Sequence, residues 1–283
     1  MSSMSAGTLR GVGIGLRRKH FAAILETTRR LDWLEIIPEN FVDYGGRSAA
    51  TLAACAERWP IVSHGVSMSI GGPDPIDGDF LARVGRLLAR IGCPWWSEHL
   101  CFAKGNGYAL HDLFPLPFTE EAARHVAARA REAQARMDRP LLLENISYYA
   151  EMPGSEMSEE SFLCLVLEES DVALLLDVNN VYVNSWNHRR DPLATLRALP
   201  LDRVREIHLA GHTPAPAPFN GTLYDTHGAP IAGAVWDLYR EALRLCGRPV
   251  PTLIERDTRI PELDEVLDEA DRARAILAEV YPQ

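Results

Sequence analysis

The strongest constraint on the fold is a strict alternation of short apolar strand patterns with longer helix patterns, sustained almost from end to end. Eight strands are expected, over residues 11–16, 33–37, 61–64, 94–99, 141–144, 172–177, 204–209 and 252–255. The helices between and after them are expected over 17–30, 48–59, 78–91, 119–137, 158–169, 192–199, 232–246 and 261–281, with a longer polar insertion before the fourth. Runs such as Leu141-Leu142-Leu143 and Leu174-Leu175-Leu176 have no polar face, which suits parallel strands covered on both sides. Alternation throughout implies parallel strands joined by crossover helices. The 283 residues suit one (β/α)8 barrel, which needs roughly 250. The expected fold is therefore α/β, a single TIM-barrel domain spanning 1–283. An open doubly wound sheet would carry Gly-x-Gly-x-x-Gly after its first strand. Here Gly11, Gly13 and Gly15 lie within the strand and lead into Arg17-Arg18-Lys19.

Six of the eight strands end in a residue that can bind metal: His64, His99, Glu144, Asp177, His208 and Glu255. Asp225 and His227 follow in the loop after the His208 strand. The C-terminal ends of parallel barrel strands converge on one mouth. Singly, each residue has an ordinary reading, as a core histidine, a helix cap or an ion-pair partner. Glu144 and Asp177, however, each end an apolar run on neighbouring strands, and buried carboxylates are costly unless paired or metal-bound. The set points to a site for more than one metal. Its mixed nitrogen and oxygen donors admit iron, manganese or zinc.

Bulk properties narrow the partners. A net charge of −10 disfavours a nucleic-acid backbone as partner. The five cysteines form no C-x-x-C pair, and their odd number favours a reducing compartment, so the expected location is cytoplasmic. Residues 1–7 lack the pattern of a signal peptide, and no apolar run reaches a membrane span of about 18 residues.

The segments His64-Gly65-Val66-Ser67-Met68-Ser69, Ser97-Glu98-His99-Leu100-Cys101, Leu143-Glu144-Asn145-Ile146, Leu176-Asp177-Val178-Asn179-Asn180, Glu206-Ile207-His208-Leu209-Ala210-Gly211-His212, Asp225-Thr226-His227 and Leu253-Ile254-Glu255-Arg256-Asp257 resemble the multinuclear non-haem iron-dependent oxidative enzymes. The resemblance runs from Gly11 to about Asp257. It implies a TIM barrel holding two or three irons, with O2 as co-substrate. It also implies action on cysteine residues of a ribosomally made precursor peptide, often beside a separate peptide-recognition protein. By the same resemblance one metal would take His64, His99 and Glu144. A second would share Glu144 and take Asp177, His208 and Glu255. A third would take Asp225 and His227, with Asn180 nearby. Endonuclease IV-like trizinc hydrolases share this layout but place a histidine where Asn180 stands. A neutral amide binds metal more weakly, so the third position should be labile.

The functional expectation is an iron-dependent oxidase modifying peptide cysteine. The alternatives are a divalent-metal hydrolase or sugar isomerase of the same barrel superfamily, and a metal-binding scaffold without turnover. With the mouth taken up by metal and no peptide-binding module before Gly11 or after Gln283, a separate partner protein is expected to deliver the peptide. Smaller expectations concern single residues. Glu98 would hold the His99 ring or form a structural ion pair. His212 would contact substrate or cap a loop, and Asn145 and Asn179 would support ligands. Glu39-Asn40 would face substrate. Trp95 and Trp96 would pack the barrel, and His20, His111, His125 and His188 would be ordinary surface or helix residues. The proline-rich loop 213–220 would be a stiff wall over the site or a spacer.

Overall fold

The computed structural model describes residues 9–282. The N-terminal residues 1–7, read above for a targeting signal, lie outside them. Eight parallel strands close into a barrel in chain order: Val12–Gly15, Leu34–Ile36, Ile61–Gly65, Trp96–His99, Leu141–Glu144, Ala173–Asp177, Val204–Leu209 and Thr252–Ile254. The first strand pairs with the last, Val12 opposite Thr252, which leaves no sheet edge. All eight expected strands are present, within a residue or two at their ends for most.

Side chains alternate inward and outward along each strand. The inward floor is apolar: Trp33, Val62, Trp95, Leu142, Leu175 and Leu253 form a closed cluster of their own. Two residues further along these six strands the inward positions turn polar, giving Glu35, His64, Ser97, Glu144, Asp177 and Glu255, and His208 joins them from a strand whose residue two places earlier is Glu206. Each is at most 3% exposed. A period of two thus places an apolar floor beneath a polar upper layer. Gly13 makes room for the floor, since a Cβ there would lie 2.3 Å from the Trp33 ring.

The outer helices bury their apolar stripes against the outward strand faces in one large cluster. Local sequence sets their starts. Asp77, Thr119 and Ser158 each accept a backbone N–H of the first turn, satisfying donors that the helix leaves open. Gly247, at φ 67°, ends the helix Gly233–Cys246 in the left-handed region that glycine reaches without strain.

Three differences from the sequence reading bear on the site. The polar insertion forms an antiparallel hairpin, Phe102–Gly105 with Tyr108–Phe114. Its tip side chains alternate less clearly than in a half-buried strand, because Tyr108–Asp112 are all exposed. A helix, Val178–Asn187, starts directly after Asp177 and precedes the expected one at Pro192–Ala198. The region after the first strand is mostly irregular, with a 3-10 turn at Arg18–His20 and a helix of six residues, Phe21–Glu26.

Candidate metal centre

Four imidazoles converge at the mouth, and their hydrogen bonds decide which nitrogen faces inward. His99 Nδ1 lies 3.2 Å from the Gly65 carbonyl, which can only accept, so Nδ1 carries the proton and Nε2 keeps its lone pair. Ser97 Oγ donates to the Ser63 carbonyl and lies 2.8 Å from His64 Nδ1, so it accepts there. In the neutral ring His64 Nε2 is then also a lone pair. These two Nε2 atoms sit 3.2 Å apart, and each lies 3.1–3.2 Å from Glu144 Oε2. Lone pairs that close repel unless something positive sits among them. Metal bonds of about 2.0–2.2 Å place neighbouring ligand atoms about 3 Å apart, which is the spacing found.

Glu144 faces two groups at once. Its Oε1 lies 3.8 Å from His208 Nδ1, which is 3.1 Å from Glu255 Oε2. Donor atoms of His64, His99 and Glu144 all lie within 4.8 Å of one another, as do those of Glu144, Asp177, His208 and Glu255. These are the two sets that the resemblance implied, joined by Glu144.

Asp177 does two jobs. Its Oδ1 accepts the Asn180 N–H at 2.7 Å and caps the helix Val178–Asn187. Its Oδ2 is buried without a hydrogen-bond partner, 4.0 Å from His227 Nε2. Asn145 clamps the same strand end, bonding both the N–H and the carbonyl of Asp177.

The proposed third position is looser. His227 Nε2 is 2.7 Å from Asp225 Oδ1, but Asp225 is also held by Asn179 Nδ2 at 2.7 Å and Ser147 Oγ at 3.0 Å. Asn179 in turn takes a hydrogen bond from His212 Nδ1 at 2.7 Å, so His212 braces the residue that holds Asp225. The Asn180 side chain donates to the Asn145 carbonyl and leaves its Oδ1 buried and unpartnered. His227 adopts φ 47°, which a side chain with a Cβ enters only at a cost of about 1–2 kcal/mol. Its Nδ1 lies 2.9 Å from Asp257 Oδ2 and 3.2 Å from Glu255 Oε2.

The fit to cations is visible in the orphaned atoms. Glu144 Oε2, Asp177 Oδ2, Asn180 Oδ1 and His227 Nε2 are buried in one region, and none has a partner of hydrogen-bond geometry. Such groups are expensive to bury unsatisfied. The charge balance says the same. Burial opposes charge on His64, but Glu144 outweighs it and lifts the ring to about 10. Burial likewise opposes charge on His208 and His227, and carboxylates still push both well above the usual imidazole range. Burial drives Asp177 well above the usual carboxylate range. Burial would raise Glu144 as well, but His99 and then His64 hold it near 2. A cluster so acidic draws in protons as counter-charge, and divalent cations would displace them.

Several site residues were not among the sequence candidates. Glu35 and Glu206 are fully buried beside His208 Nε2, at 3.2 and 3.6 Å. Asp257 backs His227, and Arg17 donates to Asp257 Oδ1 and to the Arg256 carbonyl. Glu35 had a signal in the sequence, a lone carboxylate two residues after Trp33 in an apolar strand. Other expectations need correction. Glu98 does not touch the His99 ring; its Oε1 accepts the Met68 N–H, and burial together with Glu39 raises it to about 8. Glu39 instead accepts from Val66 N and Ser67 Oγ, pinning the loop after His64. His20 is buried, 2.9 Å from the Pro261 carbonyl, and His111 lines the mouth.

A cavity of about 450 Å³ opens onto the cluster, bounded by Ile37, Val66, Lys104, His111 and Leu113 as well as His64, His99 and Glu255. The hairpin thus forms one wall. The Ser69 loop braces it, Ser69 Oγ accepting from Ala103 N and Lys104 N. A larger cavity, about 970 Å³, lies at the other end of the barrel and touches none of the candidate ligands.

A family model described as "RiPP precursor modification enzyme MbnB/TglH/ChrH" matches residues 11–278. The UPF0276 protein of Anaeromyxobacter sp. (strain Fw109-5) is 47% identical over 270 residues, 95% of this chain and 94% of its own. Among solved structures, a xylose isomerase domain protein from Planctomyces limnophilus superposes with a TM-score of 0.62 at 14% identity, over 96% of this chain and 98% of that one. A xylose isomerase-like TIM barrel protein from Mycobacterium smegmatis, solved in complex with magnesium, gives 0.61 at 15%, over 98% and 99%. At such identities the structural likeness shows the barrel and nothing finer.

Proposed function

This chain belongs to the family of RiPP precursor modification enzymes MbnB/TglH/ChrH, and from that premise we propose that it is an iron-dependent oxidase acting on a cysteine of a ribosomally made peptide. The observation that carries the proposal is the pair of buried donor groups sharing Glu144 beneath an open cavity. His64, His99 and Glu144 would hold one iron, and Glu144, Asp177, His208 and Glu255 a second. Asp225, His227 and Asn180 would hold a third. Bound iron supplies redox exchange with O2 and the charge that favours thiolate over thiol.

The chain's own residues account for the rest. The four histidines are oriented by Ser97, Gly65, Glu35 and Asp257, so none must turn to act. Such pre-positioning removes reorganisation from the reaction. The cavity admits a side chain with its near neighbours but not a folded domain. Ile37, Val66 and Leu113 give it an apolar flank suited to a cysteine side chain. Exposed aromatics follow the C-terminal ends of the strands: Tyr108, Tyr149, Trp186 and Phe219 are all more than half exposed. An apolar rim of that kind suits a peptide and the separate protein that would deliver it.

The test is metal content joined to oxygen uptake. Protein made with iron and purified without air should carry two to three irons per chain and consume O2 when given its cysteine-bearing peptide. Stoichiometric zinc, with iron loading giving no O2 uptake, would move the assignment to a hydrolase or isomerase of the same superfamily.

A further inference from the structure

Glu35 and Glu206 are each 0% exposed, and neither pairs with a lysine or arginine among the described residues. Their strands are separated by two others around the barrel, so the two carboxylates meet across its interior. Both face the same atom, His208 Nε2, at 3.2 Å for Glu35 Oε2 and 3.6 Å for Glu206 Oε1. Glu206 is suspended from the floor, its Oε2 accepting from Trp95 Nε1 at 2.7 Å. Two buried carboxylates are a costly way to fill space, and they sit on the side of the ring away from the shared Glu144.

We infer that Glu35 is the positioning residue for His208, with Glu206 as its backstop. Carboxylates face both ring nitrogens, Glu35 at Nε2 and Glu255 at Nδ1; with Nδ1 given to a metal, the one remaining ring proton resides on Nε2, where Glu35 Oε2 accepts it. Nδ1 is the nitrogen that faces Glu255 Oε2, at 3.1 Å, and Glu144 Oε1, at 3.8 Å. His64 and His99 show the opposite arrangement, with Nδ1 turned outward to Ser97 and Gly65, and His227 turns Nδ1 to Asp257 at 2.9 Å with Glu255 next at 3.2 Å. His208 is thus the one candidate ligand whose Nε2 faces carboxylates outside the proposed ligand set, which leaves Nδ1 for metal, and Glu35 is the nearer of those two carboxylates. Without that acceptor, Glu255 Oε2 at 3.1 Å would hold the Nδ1–H tautomer and keep a proton in the cluster. This inference rests on His208 holding a metal, as proposed above.

Two measurements test it, with metal alone as the probe. Cobalt(II) is titrated into metal-stripped wild-type, Glu35→Leu and Glu35→Gln proteins, following its visible absorption. Glu35→Leu should weaken binding at one position by about 10–100-fold and change the spectrum. Glu35→Gln, whose amide oxygen still accepts from Nε2, should stay within a few-fold of wild type. Equal, unchanged binding in both variants would overturn the inference, as would a Gln variant as impaired as Leu. Failure of wild type itself to bind cobalt would instead defeat the metal reading. If Glu35→Leu does not fold, nitrogen-15 NMR of histidines in zinc-loaded wild type decides. Four metal-bound rings with three protonated on Nδ1 and one on Nε2 support it, and four protonated on Nδ1 overturn it.

Discussion

Asp257 Oδ2 lies 2.9 Å from His227 Nδ1, and the Asp257 N–H donates to the His227 carbonyl at 3.0 Å. One residue therefore fixes both the ring and the left-handed backbone of the other. Arg17 anchors Asp257 from the first strand's end, which ties the His227 loop to the point where the barrel closes. Replacing Asp257 with alanine should free the ring and empty the third position while leaving the first two filled. Elemental analysis should then show a loss of at most one metal per chain. Loss of two or more would mean that Asp257 supports the whole cluster.

Glu144 should behave differently. It stands between two donor groups, so Glu144→Gln should lose more than one metal, whereas Asn180→Ala should lose at most one. Both variants should fold, because the apolar floor and the helix contacts do not involve these side chains. Melting temperatures should still fall as the stabilisation from bound metal is lost. A full metal complement in Glu144→Gln would contradict the bridging role.

A pH dependence separate from the metal centre should come from Glu159. Burial raises its carboxyl from 4.5 to about 7, with Tyr148 and Asn184 donating to it. Its folded value exceeds its unfolded value, so it favours folding when protonated. That contribution is complete below pH 4.5 and is lost as pH rises through 7. The loss should be on the order of 1–3 kcal/mol. Glu159→Gln should therefore flatten the decline in melting temperature between pH 5 and about pH 8. An unchanged decline in the variant would assign the pH dependence elsewhere.

The floor can be tested apart from the site. Gly13→Ala would drive a methyl group into the Trp33 ring, so something must shift. Overpacking of this kind should cost about 1–3 kcal/mol in denaturant unfolding, with the metal content of the folded fraction unchanged. A neutral effect on stability would mean that the floor yields easily.

The sequence made the barrel legible because every strand carries a short apolar run and each run is followed by a helix period. The candidate ligands stood out because His64, His99, Glu144, Asp177, His208 and Glu255 break those runs at or near their ends. Glu35 and Glu206 stayed hidden because they lie inside strands, where a carboxylate reads as outward-facing. Only closure of the barrel shows that both point to His208. Asp257 was hidden for another reason, since its partner lies 30 residues away in a loop. The helix Val178–Asn187 was missed because its opening residues, Val178-Asn179-Asn180-Val181, favour turns and strands over helix. The Asp177 cap and burial of Val178, Val181 and Val183 override that preference.

The most direct test of the proposed function is the mass of the peptide. The chain is co-expressed with a cysteine-bearing precursor peptide, with and without a candidate partner protein, and with and without air. The expected result is a cysteine-dependent mass change in air that disappears in its absence and with His99→Ala. An unmodified peptide in air from iron-loaded protein, together with cleavage of a phosphodiester or isomerisation of a sugar, would contradict it.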